Sequence, residues 1–277
     1  MNLKKKIKNS IRAYVMGDAL GVPFEFQRKG TFKCIDFEGY MTHHQKPGTW
    51  SDDTSILLCL MDALTYSDEP LIIVQKYKQN LSRWYHNDDF TVDKLFDIGN
   101  QTADAISSQF EKKKKTSRMG NGALFYSLPL ACIFLNEEID TLKLFEKFCS
   151  VTHNNNNCFV FGLQFSLLLK DLFRSLPTDK TISPTYSNRG DVINTFYLVF
   201  DEFQKRKDKD STLFEDLCEV INLGQDTDTN AALFGALIGT IKEVDEEKWK
   251  KVLRYEYVDK CIDSFLNSLE SNGTLKC

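Results

Sequence analysis

Apolar residues return every three or four positions along most of this chain, the spacing of helices that bury one face. Leu3, Ile7, Ile11, Tyr14 and Val15 keep that spacing, and Ile56, Leu57, Leu60, Met61 and Leu64 repeat it. The same reading predicts helices over 71–86, 93–110, 122–136, 139–152, 157–175, 190–206, 212–222, 228–241, 246–253 and 257–269. Pro129 should kink or delimit its helix, because its ring removes a backbone donor and crowds the preceding turn. Only residues 31–40 have strand character, and Gly30 and Gly39 bound them as a loop. The polar stretch 177–191, with Pro177, Pro184, Asn188 and Gly190, reads as a long surface loop rather than a domain boundary. The pattern predicts an all-α fold.

Composition narrows this. With 277 residues and 42% hydrophobic content, the chain can bury a sizeable core. A formal net charge of −4 argues against non-specific nucleic-acid binding, which needs a basic surface. The runs Lys4-Lys5-Lys6 and Lys112-Lys113-Lys114-Lys115 are local and read as solvated surface. Eight cysteines form no C-x-x-C pair; Cys59 and Cys132 sit in apolar helical patterns as small buried hydrophobes. A reducing compartment follows. No secretory signal is visible at the N-terminus, and no run approaches the roughly 18 apolar residues of a membrane span. The expectation is a soluble cytoplasmic protein.

Two acidic clusters stand out, Ser51-Asp52-Asp53-Thr54 and Asp226-Thr227-Asp228-Thr229, each just before an apolar helical stretch. One function for such residues is helix capping, where side-chain oxygens satisfy orphan N–H groups and carboxylates favour the helix dipole. Capping alone does not call for paired acids, which repel unless something compensates them. Carboxylate and hydroxyl oxygens without nearby histidine or cysteine suit hard divalent cations such as Mg²⁺ or Mn²⁺. A shared site needs both clusters in one compact unit, so residues 1–277 are read as a single domain.

Two further segments carry polar groups among glycines. In Gly17-Asp18-Ala19-Leu20-Gly21-Val22-Pro23-Phe24-Glu25, the glycines share a helix face and permit close helix approach. Gly120-Asn121-Gly122-Ala123 opens a helix, where backbone N–H groups can cradle a phosphate, although Gly-Asn-Gly is also ordinary turn sequence.

Taken in order, these segments resemble the ADP-ribosylglycohydrolase family, whose relatives include dinitrogenase-reductase-activating glycohydrolases and the J1 crystallins. The resemblance runs from Gly17 to about Trp249. Its most specific parts are Gly48-Thr49-Trp50-Ser51-Asp52-Asp53-Thr54 and Asp226-Thr227-Asp228-Thr229 followed by Ala231, Ala232, Gly235, Ala236 and Gly239. Thr152-His153 falls where the family has a Thr-His pair.

The resemblance implies an orthogonal all-α fold with a central cleft holding two Mg²⁺ or Mn²⁺ ions. It implies Ser51, Asp52 and Asp53 as metal ligands on one side and Asp226, Asp228 and Thr229 on the other. It gives Glu25 or Asp53 the role of base near the scissile bond. Gly120, Asn121 and Gly122 would hold a diphosphate, and His153 would line the ADP-ribose pocket. By itself a lone histidine is more often a packed or capping residue. The implied activity is removal of ADP-ribose from a modified protein side chain, arginine first. A non-catalytic ADP-ribose-binding or crystallin-like homologue and a metal-dependent nucleotide phosphohydrolase are the alternatives.

Two departures bear on this. Phe125 and Tyr126 stand where the family often has Met-Arg, so that arginine is missing or supplied elsewhere. Gln225 replaces the family's second glycine before Asp226, and a positive φ there would strain it.

Overall fold

The computed structural model describes residues 1–111, 115–178, 185–187 and 190–275. Most of the Lys112–Lys115 run, much of the 177–191 loop and Cys277 lie outside them.

Among the described residues, twelve α-helices make up the fold. They are α1 (Leu3–Gly21), α2 (Asp52–Leu64), α3 (Pro70–Asn87), α4 (Asn100–Ser107), α5 (Ser127–Ile133) and α6 (Thr141–Cys149). After these come α7 (Asn156–Phe173), α8 (Val192–Arg206), α9 (Leu213–Ile221), α10 (Thr227–Ile238), α11 (Glu246–Trp249) and α12 (Tyr255–Ser271). Short 3-10 turns occupy Val22–Phe24 and Asn121–Leu124. Among the described residues β-structure is limited to two isolated bridges, Arg28 with Gly224 and Gly120 with Asp191. No described helix is long and apolar enough to cross a membrane. The all-α expectation holds.

The centre is built from α1, α2 and α10. Every residue of α10 is buried, as expected of a helix apolar on all sides. Helices α1 and α10 cross at backbone contact. A Cβ on Gly17 would lie 2.2 Å from the Ala231 carbonyl oxygen, and one on Gly21 would lie 2.4 Å from Asp228 Cα. From the other side, a Cβ on Gly235 would lie 2.3 Å from the Ala13 carbonyl oxygen. Glycines on both helices therefore set the separation. Ser10 Oγ adds a hydrogen bond to the Ala236 carbonyl, 2.6 Å.

Several predicted helices are shorter than the periodicity suggested, three of them for reasons the contacts show. The 93–110 segment becomes helical only at Asn100. Before it, Leu95 N–H donates to Asp88 Oδ1 and Gly99 N–H donates to Asp52 Oδ2, so side chains take the backbone donors. The 122–136 segment divides into a 3-10 turn and α5, with Pro129 in the first turn of α5, where its missing N–H costs little. The 246–253 helix stops at Trp249, because Leu253 N–H turns away to the Gly48 carbonyl, 2.9 Å. Residues 31–40 form neither helix nor strand. The seven described cysteines are free thiols and six are buried.

The crossing generates a prediction about sign. Gly→Ala in an open helix interior usually stabilises by about 1 kcal/mol. Gly235→Ala should instead destabilise by about 1–3 kcal/mol, because the backbone it meets cannot give way. Denaturant titration checks this, and a gain in stability would refute the contact.

Candidate active site

Asp18, on the buried face of α1, organises the first acidic cluster. It accepts from Ser51 N–H at 2.9 Å, Thr54 N–H at 3.0 Å and Thr54 Oγ1 at 2.6 Å. Burial lifts its pKa to about 6 against the pull of those bonds. These contacts orient the start of α2. Ser51 caps that helix, its Oγ accepting from Asp53 N–H at 3.3 Å. The capping reading thus describes Ser51, which is not among the residues lining the main cavity.

That cavity, of about 750 Å³, is lined by Asp52, Asp53, Asp226, Asp228 and Thr229 together with Glu25. Segments some 170 positions apart therefore converge, as the sequence predicted. Glu25, Asp226 and Asp228 each bring an oxygen within 4.8 Å of the others. Burial, then repulsion from neighbouring carboxylates, raises Asp52, Asp53 and Asp228 well above the usual carboxylate range. Asp53 Oδ2 is buried with no hydrogen bond from a described residue. An orphan carboxylate oxygen among hard oxygen donors fits a divalent cation, which would neutralise the crowded charge.

Two residues that the sequence reading passed over join this group. His43 Nε2 contacts Glu25 Oε2. Thr42 Oγ1 fixes the Glu25 carbonyl at 2.9 Å, and Thr42 N–H fixes that of Pro23 at 3.2 Å. Burial raises Glu25 to about 7, with the His43 bond opposing it. The Glu25 bond in turn raises His43. Asp97 completes a Glu25–His43–Asp97 cluster from the non-helical run before α4. The only signal for Asp97 was Gly99, a helix breaker inside an assumed helix. His43 lies in a loop without periodicity and gave no signal.

The glycine loop differs from a simple phosphate cradle. Gly120 N–H already donates to Gln101 Oε1 at 2.8 Å. Asn121 Nδ2 donates to Asp226 Oδ2 at 2.6 Å and to Thr195 Oγ1 at 3.2 Å, tying the loop to the acidic cluster. A Cβ on Gly122 would lie 2.9 Å from His153 Cε1. Gly122 is thus glycine because His153 packs over it, and a larger residue there would displace the histidine before it blocked a ligand. The cavity also holds Arg118, a positive charge next to a loop that lacks the family's arginine.

His153 is only 4% exposed, and burial depresses its pKa to about 3, so the ring is neutral near pH 7. Its Nδ1 lies 2.7 Å from Thr152 Oγ1, which contacts the Tyr126 hydroxyl. A phenol is the better donor and an alcohol oxygen the better acceptor. Tyr126 therefore donates to Thr152 and Thr152 to Nδ1, which leaves the histidine proton on Nε2, the nitrogen nearer Gly120 and Gly122. The residue standing in place of the family's arginine thus sets the tautomer of the pocket histidine.

Gln225 has φ 70°, the left-handed conformation that its position in the sequence suggested. Phe26 beside it has φ 64°. They are joined by Phe26 N–H to the Gln225 carbonyl and Gln225 N–H to the Gln27 carbonyl, each 2.7 Å. Each such residue costs roughly 1–2 kcal/mol, a cost held in place here at the cavity mouth.

The family model "ADP-ribosylglycohydrolase" matches residues 1–195. The ADP-ribosylarginine hydrolase Tri1 of Serratia proteamaculans (strain 568) is 32% identical over 117 residues, which is 42% of this chain and 31% of that protein. Tri1 of Pseudomonas putida (strain GB-1) is 27% identical over 264 residues, covering 85% of this chain and 70% of that protein. A solved chain described as an ADP-ribosylglycohydrolase-related protein complex aligns with a TM-score of 0.76 at 22% identity, over 96% of this chain and 99% of that one. This last likeness establishes the fold.

The buried histidine predicts a pH effect. The folded pKa of about 3 lies below the ordinary 6.5, so the unfolded chain takes up the proton first as pH falls. The stability carried by neutral His153 is present above pH 6.5 and lost as pH drops toward 3. Relative to His153→Gln, the native protein should lose up to about 1.4 kcal/mol per pH unit in that window. Denaturant curves of both proteins from pH 7 to pH 4 test it; parallel pH profiles would contradict a buried neutral ring.

Proposed function

The chain belongs to the ADP-ribosylglycohydrolase family, and from that premise we propose that it removes ADP-ribose from modified arginine side chains of proteins. The bond cleaved is the one at the anomeric carbon of the distal ribose. The observation carrying this reading is that both acidic clusters, Glu25 and the Gly120–Gly122 loop line one cavity.

Asp52, Asp53, Asp226, Asp228 and Thr229 would hold two divalent cations, Mg²⁺ or Mn²⁺, with Ser51 Oγ, which keeps a second lone pair beside its cap bond, as a further oxygen donor. When bound, these ions supply Lewis acidity that fixes ribose hydroxyls and stabilises charge developing at the reacting centre. The rest falls to the chain. His43 holds one Glu25 oxygen and leaves the other for a water. Burial keeps Glu25 near neutrality in pKa, the range in which a carboxylate removes a proton from water most effectively at pH 7. As the glycosidic bond breaks through an oxocarbenium-like transition state, the guanidine nitrogen keeps the bonding pair, the water adds to the anomeric carbon, and its proton passes to Glu25 and then to the departing guanidine, which leaves as guanidinium. Asp53 is the second candidate for this proton. At the other end of the cavity, Arg118, which also pairs with Asp104, and His153 Nε2–H would supply positive charge and a donor for the diphosphate, while Asn121 Nδ2 is committed to Asp226 and Thr195. Asn121, bonded to Asp226, fixes the distance between the two ends.

The direct test is incubation of ADP-ribosylated arginine peptide with protein and Mg²⁺ or Mn²⁺. Free ADP-ribose is the expected product; released phosphate would favour a phosphohydrolase, and no turnover a binding homologue. Metal analysis after dialysis should find about two ions per chain, and saturating metal should raise the melting temperature by mass action. Asp53→Asn should lose both effects. A folded protein that binds no ion would sink the metal site.

Glu25→Gln keeps the shape and removes the base. Its kcat should fall by roughly 10²–10⁴ while ADP-ribose affinity stays near that of the unmodified chain. Full activity would transfer the role to Asp53.

A further inference from the structure

Phe26 has neither of the usual reasons for being phenylalanine. It is 67% exposed, so it contributes little to the core. Its φ of 64° is one that a large side chain adopts at a cost and that glycine would adopt freely. Of the large hydrophobic side chains exposed among the described residues, it is the one that lines the main cavity. A strained residue with a solvent-facing ring at a cavity mouth points to a ligand rather than to packing.

Its neighbours indicate which ligand. The Phe26 ring lies against His43, which contacts Glu25, so it stands at the Glu25 side of the cavity. The Phe26 ring centroid lies 5.9 Å from that of His43, and His43 lies 5.4 Å from Phe96, both tilted at 57°. This row of rings runs beside the carboxylates of Glu25 and Asp97. Aromatic faces next to carboxylates suit a flat cation, which stacks on the ring while the acids balance its charge.

We propose that Phe26 receives the guanidinium of the arginine side chain that leaves on hydrolysis, and so selects arginine-linked over neutral acceptors. This rests on the proposed hydrolase activity for its place in the reaction, but the binding of a guanidinium at this wall can be measured separately. The left-handed turn shared with Gln225 is the device that aims the ring at the mouth. Gln225 N–H and carbonyl each take a bond from the Phe26–Gln27 turn, so the conformation is held from both sides.

The test uses the full chain, with ADP-ribose bound, titrated with agmatine as a free guanidinium probe. Phe26→Ala should weaken agmatine binding roughly tenfold, in line with a desolvated cation–π contact. It should raise KM for an ADP-ribosylarginine peptide by a similar factor with little change in kcat. Phe26→Trp should retain both, and affinity for ADP-ribose alone should not move. Phe26→Gly separates function from structure: it relieves the backbone strain, so the variant should melt no lower than the parent yet lose agmatine binding. Equal agmatine affinity in parent and Phe26→Ala overturns the proposal, as does a loss of ADP-ribose affinity of the same size. If the parent hydrolyses no ADP-ribosyl substrate but binds agmatine through Phe26, the hydrolase reading fails and the guanidinium site stands.

Discussion

The site depends on how closely α1 and α10 approach. Gly17, Gly21 and Gly235 bring backbone against backbone at their crossing. At that separation the Asp228 end of α10 reaches the Gly21 end of α1, next to the turn that carries Glu25. Wider spacing would leave the two acidic clusters in separate pockets. Helix association in the interior is usually set by side-chain volume; here the absence of volume sets it, and the reward is oxygen donors from opposite ends of the sequence.

Gathering so many carboxylates creates a cost that the surrounding structure answers only in part. Asp18 is satisfied by Ser51 and Thr54. Asp226 is satisfied by Asn121. Asp52 accepts from Gly99. Asp53 Oδ2 receives nothing from the described residues. Buried acids with no cation beside them protonate or bind one, and what sets Asp18 apart is that Ser51 and Thr54 take up its oxygens and it does not line the cavity. Asp18 belongs to the framework, although it is as buried as any of the others.

Beside the helix-borne aspartates, the Glu25 end of the cavity is shaped by turns. Glu25 leaves a 3-10 turn, His43 comes from a loop, and Phe26 and Gln225 adopt left-handed backbone. These turns are held by bonds to one another, so strain is stored where the substrate would enter. The Gly122 end relies on packing instead: His153 sits over Gly122, and its proton is placed by Thr152 and Tyr126. Asn121 joins the two ends through Asp226.

Local pattern made the helices legible, because a 3.6-residue period registers which face is buried without reference to any partner. It also exposed both acidic clusters, the paired glycines of α1 and the strained place of Gln225, since each is a departure from ordinary composition within a few residues. What it could not supply was the identity of neighbours. His43 and Asp97 became site residues only because a loop and an unwound stretch fold back beside Glu25. Ser51 Oγ also accepts the cap bond of α2 from Asp53 N–H. Gly122 is small for the sake of His153, a residue of another segment. Such roles depend on which atoms lie across a few ångströms of space, and spacing along the chain carries no record of that distance until the helices have packed.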